Sequence, residues 1–114
     1  HEVRRFPPKV DYITSTGWLD SSPAGRQKVG LRWGGPAKVI TDLAVLGFDE
    51  STKRMRLESV HPGVTVEQVQ ANTGFELLLA DKIEITPPPT RSELKILREK
   101  VDPLGFYLVR RAKK

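Results

Sequence analysis

One stretch constrains this chain more than any other, the run from Lys38 to Gly74. Val39 to Phe48 is β-branched and aliphatic, broken once at Thr41-Asp42, which predicts two short buried strand pieces. Asp49-Glu50-Ser51-Thr52-Lys53 is wholly polar, and Met55 to Val60 then alternates apolar with charged or polar residues. That pattern is a β-hairpin with one wet face. After His61-Pro62-Gly63 comes a helix with written boundaries. Thr65 can accept from the amide of Gln68 while the Gln68 side chain reaches back to the amide of Thr65, a capping box. Gly74 is expected to end the helix as a left-handed residue. Val66 and Val69, continued by Thr73, share one face, so about two and a half turns of helix can lie across the hairpin.

Arg4-Arg5-Phe6-Pro7-Pro8 reads as a strand end stiffened into an extended turn, and Val10 to Thr14 as a short strand. Ser15 to Pro36 is a long loop rich in Gly, Ser and Pro. Loops of that length usually serve function or cover a neighbour. Trp18 and Trp33 are the side chains expected to fix it, by burial against the sheet or a partner chain. Gly34-Gly35-Pro36 precedes a strand, whereas phosphate-cradling loops precede helices, so it reads as a tight turn. Asp42 stands without a second carboxylate, histidine or lysine at a readable spacing, which makes it a turn or interface residue rather than a general base. His61 has no serine or cysteine motif with it and is expected to bond a backbone carbonyl.

Beyond Gly74, Phe75 to Ala80 is apolar enough for another short strand, and Ile83 and Ile85 alternate with polar neighbours up to an extended Thr86-Pro87-Pro88-Pro89 linker. Thr90 and Glu93 form a second capping box, opening a helix to about Val101 with Leu94, Leu97 and Val101 on one face. Pro103 stops it. Leu104 to Val109 is a last apolar stretch before a basic tail, Arg110 to Lys114, that is most simply solvated.

Composition narrows the function. The chain has 114 residues and 38% hydrophobic content, enough for one small domain with a thin core. No apolar run approaches the roughly 20 residues that cross a bilayer, so the expectation is a soluble, cytoplasmic chain with no membrane partner. There is no cysteine and only two histidines, which excludes a disulfide framework, a thiolate nucleophile and a zinc site. The formal charge of +5 is uneven: Lys and Arg against Asp and Glu number 7 to 3 in residues 1–38, 4 to 8 in 39–89 and 8 to 3 in 90–114. The basic ends lack a nucleic-acid-binding motif, so no nucleic-acid partner is expected; they suit an acidic protein partner or a phosphorylated substrate.

Several ordered blocks carry a family resemblance. Val39-Ile40-Thr41-Asp42-Leu43-Ala44-Val45, Met55-Arg56-Leu57, His61-Pro62-Gly63-Val64-Thr65 and Val69-Gln70-Ala71-Asn72-Thr73-Gly74-Phe75 resemble the C-terminal part of the beta subunit of family I coenzyme A transferases, of the glutaconate and 3-oxoacid type. The likeness extends to Arg4-Arg5-Phe6, Lys9-Val10-Asp11 and Ile13-Thr14-Ser15 on one side and to Pro87-Pro88-Pro89-Thr90 and Asp102-Pro103 on the other. It implies an α/β architecture, the C-terminal part of an open α/β sheet fold, with a hairpin and two short capped helices. Residues 1–114 would then be one C-terminal portion, with the N-terminal half of the beta subunit absent.

The resemblance also implies a reaction, the transfer of coenzyme A between an acyl-CoA and a carboxylic acid through a glutamyl-CoA thioester, with coenzyme A as substrate and no cofactor. The family's glutamate followed by Asn-Gly, and its Gly-Gly oxyanion loop, lie in the N-terminal half. None of Glu2, Glu50, Glu58, Glu67, Glu76, Glu84, Glu93 and Glu99 precedes Asn-Gly, so no catalytic residue is assigned here. Arg4 and Arg5 are the candidates for contact with coenzyme A phosphates or a partner. An alpha subunit and the N-terminal half of the beta subunit are the implied partners. Two other readings are a relative that hydrolyses a carbon-carbon bond of a cyclic acyl-CoA in steroid-ring degradation, and a non-catalytic interaction domain.

Overall fold

The computed structural model describes residues 1–19, 22 and 24–108. A short helix α1 (Gly25–Lys28) is followed by strands β1 (Val39–Ile40), β2 (Ala44–Phe48) and β3 (Met55–Val60), helix α2 (Val66–Ala71), strand β4 (Leu78–Ile85) and helix α3 (Arg91–Ile96). The four strands form one sheet in the order β1-β2-β3-β4.

The sheet grows from the central run as its residues require. Thr41 splits that run: its hydroxyl accepts from the amides of Leu43 and Ala44, both at 3.1 Å, and its own amide donates to Ala44 O at 3.0 Å. The chain therefore reverses, and β1 pairs antiparallel with β2, Val39 opposite Leu46. At the next turn Asp49 does the same work. Its Oδ1 accepts from the amides of Ser51 and Thr52 and from both hydroxyls, at 2.7–3.1 Å, which brings β3 back antiparallel to β2.

β4 then runs parallel to β3, with α2 on the connection between them. It is one irregular strand rather than the two predicted pieces. Leu57 and Ser59 of β3 face Leu79 and Glu84 of β4, so two steps on one strand meet five on the other. The extra residues bulge where Asp81 and Lys82 meet water.

α2 carries the predicted capping box: Gln68 N donates to Thr65 Oγ1 at 3.2 Å, and Thr65 N donates to Gln68 Oε1 at 2.9 Å. Its inward face completes a small core of Ala44, Leu46, Leu57, Val60, Val69 and Leu77, with Phe6, Val66 and Phe75 packed at the margin. The helix ends earlier than predicted and for another reason. Ala71 is its last residue, and Gly74 is not among the glycines with a left-handed backbone. Gly74 instead lets another backbone approach: its amide donates to Phe6 O at 2.8 Å, and a Cβ there would lie 2.7 Å from that same oxygen.

Several predicted elements are absent. Arg4 to Phe6 is a turn, in which Arg5 N donates to Glu2 O at 2.9 Å and Phe6 N to Val3 O at 3.1 Å, not a strand end. Residues 10–14 form no strand, because a strand needs a ladder and none of the four described strands lies beside them; Val10, Tyr12 and Ile13 stand exposed. The first of the two central strand pieces is not buried either, with Ile40 at 72% exposure.

The second capping box is present, with Thr90 N donating to Glu93 Oε2 at 2.7 Å and Glu93 N to Thr90 Oγ1 at 3.2 Å. The helix it opens changes pitch. From Leu97 to Val101 it widens into a π-helical turn in which Asp102 N donates to Leu97 O at 2.8 Å. Pro103 holds Asp102 out of the helical region, at φ −131° and ψ 60°, and the last turn opens to meet it. Leu94 and Leu97 are half-buried and Val101 is exposed, so the predicted apolar face is largely uncovered. Val109 and the basic tail lie outside the described residues. The Cα radius of gyration is 17.2 Å, against about 13 Å for a compact domain of this length. Among the described residues, no helix is long and apolar enough to cross a membrane.

Candidate functional site

The polar groups of the sheet converge on the corner at Thr41. His61 Nε2 lies 2.8 Å from Thr41 O. A carbonyl only accepts, so that nitrogen carries the proton. His61 Nδ1 lies 3.0 Å from Thr86 Oγ1, and Thr86 Oγ1 lies 2.9 Å from Ser59 Oγ. A neutral ring then accepts from Thr86, which accepts from Ser59. Both ring nitrogens are engaged within the fold, and the backbone closes the same corner through His61 N to Leu43 O at 2.9 Å and Thr86 N to Val60 O at 2.8 Å. His61 is therefore a clasp joining the ends of β3 and β4 to the β1–β2 corner, with no lone pair left for a substrate proton.

His1 reaches the same threonine. Its Nδ1 is 3.1 Å from Thr41 Oγ1 and its Nε2 is 3.0 Å from Thr73 Oγ1, while the ring stacks on Phe6 with centroids 4.0 Å apart. Thr73 in turn donates to Val69 O at 2.8 Å. Both histidines thus serve the fold. Among the described residues no three His, Cys, Asp or Glu side chains converge as a metal site.

Of the two predicted binding residues, Arg5 lines an open cleft of about 360 Å³ with His1, Glu2 and Asp42, and Arg4 stands exposed outside that lining. Arg5 Nε is paired with Glu2 Oε1 at 2.9 Å, so an anion entering the cleft meets a guanidinium already shared with a carboxylate. Asp42, three-quarters exposed, adds a second negative charge. Trp18 anchors the long loop as predicted: it packs edge-on against Phe48 at 6.2 Å, with Lys53 Nζ 4.8 Å from its ring centroid. Trp33 does not, being 84% exposed.

Sequence reasoning passed over Asp102. It is 4% exposed, and its carboxylate accepts from the amides of Phe106, Tyr107 and Leu108 at 2.7, 3.3 and 2.9 Å. The signal was present in Asp102-Pro103-Leu104-Gly105, an aspartate leading a turn. Ser59 and Thr86 carried no such signal, since only the parallel pairing of β3 and β4 brings them together.

The corner, the hairpin and α2 are shared with known proteins. The family model described as Coenzyme A transferase matches residues 1–72. The beta subunit of glutaconate CoA-transferase from Acidaminococcus fermentans is 45% identical over 104 residues, 90% of this chain and 38% of that protein. The beta subunit of 3-oxoadipate CoA-transferase from Pseudomonas knackmussii is 38% identical over 83% of this chain and 36% of its own length. The cholesterol ring-cleaving hydrolase IpdB subunit of Rhodococcus jostii is 33% identical over 90% of this chain and 40% of its own. The crystal structure of the Acidaminococcus glutaconate coenzyme A-transferase superposes with a TM-score of 0.80 at 42% identity, over 93% of this chain and 40% of that one. That of Rhodococcus jostii IpdAB superposes with 0.76 at 32% identity, over 93% and 42%. This chain spans about two fifths of the length of these relatives, and its mixed sheet is part of their open α/β fold. It belongs to the coenzyme A transferase family.

Proposed function

We propose that residues 1–114 are the C-terminal portion of the beta subunit of a heteromeric CoA-transferase, acting with an alpha subunit and with the N-terminal half of its own subunit. The observation that carries the proposal is the 45% identity to the glutaconate CoA-transferase beta subunit over 104 residues, 90% of this chain. In the proposed reaction a glutamate outside this stretch attacks an acyl-CoA thioester. The carbon-sulfur bond breaks, and CoA leaves as thiolate with a glutamyl-acyl anhydride in place. The thiolate then attacks the glutamyl carbonyl, the first carboxylate departs, and a glutamyl-CoA thioester remains. A second carboxylate runs both steps in reverse and leaves as the new acyl-CoA. No redox partner is required, and coenzyme A is substrate rather than cofactor.

The part assigned to this stretch is the sheet, the subunit interface and a wall of the site. Arg4 and Arg5 are assigned to the coenzyme A phosphates, where a guanidinium pairs with two phosphate oxygens at once. The assembled protein, given an acyl-CoA and a panel of carboxylates, should yield a new acyl-CoA without net loss of thioester. A second reading, favoured by the 33% identity to the IpdB subunit, is hydrolytic opening of a ring in a cyclic acyl-CoA. Ring opening without CoA exchange selects that reading, and absence of both reactions refutes each.

A further inference from the structure

The two histidines meet at Thr41, and the valences of that one residue fix the state of both rings. Thr41 Oγ1 accepts from the amides of Leu43 and Ala44, both at 3.1 Å, which uses its two lone pairs. Only its hydrogen is left for His1 Nδ1, 3.1 Å away, so that nitrogen accepts. The other acceptor in reach, Ala44 O, is farther at 3.3 Å and already takes the Thr41 amide at 3.0 Å. Across the ring Thr73 has given its hydrogen to Val69 O at 2.8 Å, so His1 Nε2, 3.0 Å from Thr73 Oγ1, donates. His1 is therefore neutral with its proton on Nε2, the same tautomer that the Thr41 carbonyl imposes on His61.

Every hydrogen in this run is donated in one direction. Ser59 gives to Thr86, Thr86 to His61 and His61 to the Thr41 carbonyl; the Thr41 hydroxyl gives to His1, His1 to Thr73 and Thr73 to Val69. A member that turns away leaves its neighbour unpaired in a half-buried place, and a partly satisfied polar network is costly. The run starts at the paired ends of β3 and β4 and finishes on the core face of α2, and through His1 it takes in the amino-terminal strap with Arg4 and Arg5. Among the described residues no direct hydrogen bond joins His1 or Thr73 to Ser59 or Thr86, so Thr41 is the junction.

We infer that this one-way run is a conformational coupling between the amino-terminal strap and the end of the sheet. Freeing His1 loosens the β3–β4 end, and freeing Thr86 loosens the strap by the same factor, since coupling between two sites is reciprocal. Beyond Thr86 the backbone passes through Pro87-Pro88-Pro89 to α3, so the strap that bears Arg4 and Arg5 is linked to the base of that helix, whatever those arginines bind. The link acts through the hydrogen bonds and not through the stack of His1 on Phe6, which joins two members of the strap only.

Hydrogen exchange of the assembled protein tests this at two amides remote from the strap, His61 N, bonded to Leu43 O, and Thr86 N, bonded to Val60 O. His1→Phe keeps an aromatic ring to stack on Phe6 and removes both bonds of the imidazole. It should speed exchange at the His61 and Thr86 amides at least threefold. Thr73→Val, which leaves the histidine in place, should do the same. Thr65→Ala weakens α2 without touching the run and should leave both amides unchanged, which separates coupling from a general loss of stability. In His1→Phe/Thr86→Val the acceleration at the His61 amide should equal that of Thr86→Val alone, because the run is already cut. Acceleration confined to the strap and α2, full additivity in the double variant, or an equal response to Thr65→Ala overturns the inference.

Discussion

Replacing Gly74 isolates the contact that ties the amino-terminal strap to the core. In Gly74→Ala the new Cβ would sit 2.7 Å from Phe6 O and 3.3 Å from the Pro7 Cα. Both are backbone atoms, which cannot turn aside as a side-chain tip does. The strap has to move by about half an ångström to restore an ordinary contact. That movement strains the Gly74 N to Phe6 O bond, now 2.8 Å, and loosens Phe6 at the margin of the core. Overpacking costs about 1–3 kcal/mol and a weakened hydrogen bond about 1. The reduced freedom of the unfolded chain returns about 0.4–1 kcal/mol. The net expectation is a loss of about 1–3 kcal/mol, or ~4–12 °C in melting temperature at about 4 °C per kcal/mol. Thermal unfolding followed by circular dichroism measures it, and hydrogen exchange at the Gly74 amide shows whether the loss lies at the strap. Gly74→Asn distinguishes the two roles a glycine can have here. A left-handed cap tolerates asparagine, whereas a close backbone approach does not. An asparagine variant as stable as the original, or an alanine variant that melts no lower, refutes the reasoning.

Other consequences are as specific. Leu46→Ala, at a fully buried position on β2, should cost about 2–5 kcal/mol in denaturant unfolding. Thr65→Ala removes the cap on Gln68 N and should cost about 1 kcal/mol, with faster exchange confined to the first turn of α2. The amide and hydroxyl bonds from Thr52 and Ser51 hold the Asp49 carboxyl well below its ordinary value of 3.8. A carboxyl depressed on folding contributes stability fully above its unfolded value and loses it as pH falls through the folded one. Protection of the Ser51 and Thr52 amides should therefore persist down to about pH 4 and fade only in stronger acid; in Asp49→Asn it should be lower and flat across that range. Arg5→Ala should raise KM for acyl-CoA at unchanged kcat, and an unchanged KM would remove Arg5 from the site.

The elements legible in the sequence are those fixed by neighbouring residues. Thr41-Asp42 divides the central run and Asp49 to Lys53 closes the hairpin because side-chain oxygens there bond amides two or three residues away. The boxes at Thr65–Gln68 and Thr90–Glu93 were readable for the same reason. What misled were features whose partners lie elsewhere. Gly74 has a positional meaning that depends on Phe6, 68 residues earlier in the chain. Trp33, Ile40 and the α3 face have apolar character without a surface among the described residues to bury it. A sequence announces that such side chains need cover but not what supplies it. Ser59, Thr86 and His61 meet only because β4 runs parallel to β3, and no local pattern encodes that pairing.

The most direct test of the CoA-transferase account is to trap the covalent intermediate. The assembled protein is incubated with an acyl-CoA, quenched, and mapped by peptide mass spectrometry for a glutamate carrying CoA. The account predicts one modified glutamate, followed by Asn-Gly and lying outside residues 1–114. An adduct on any of the eight glutamates within this stretch, or CoA transfer with no glutamyl adduct anywhere, would contradict it.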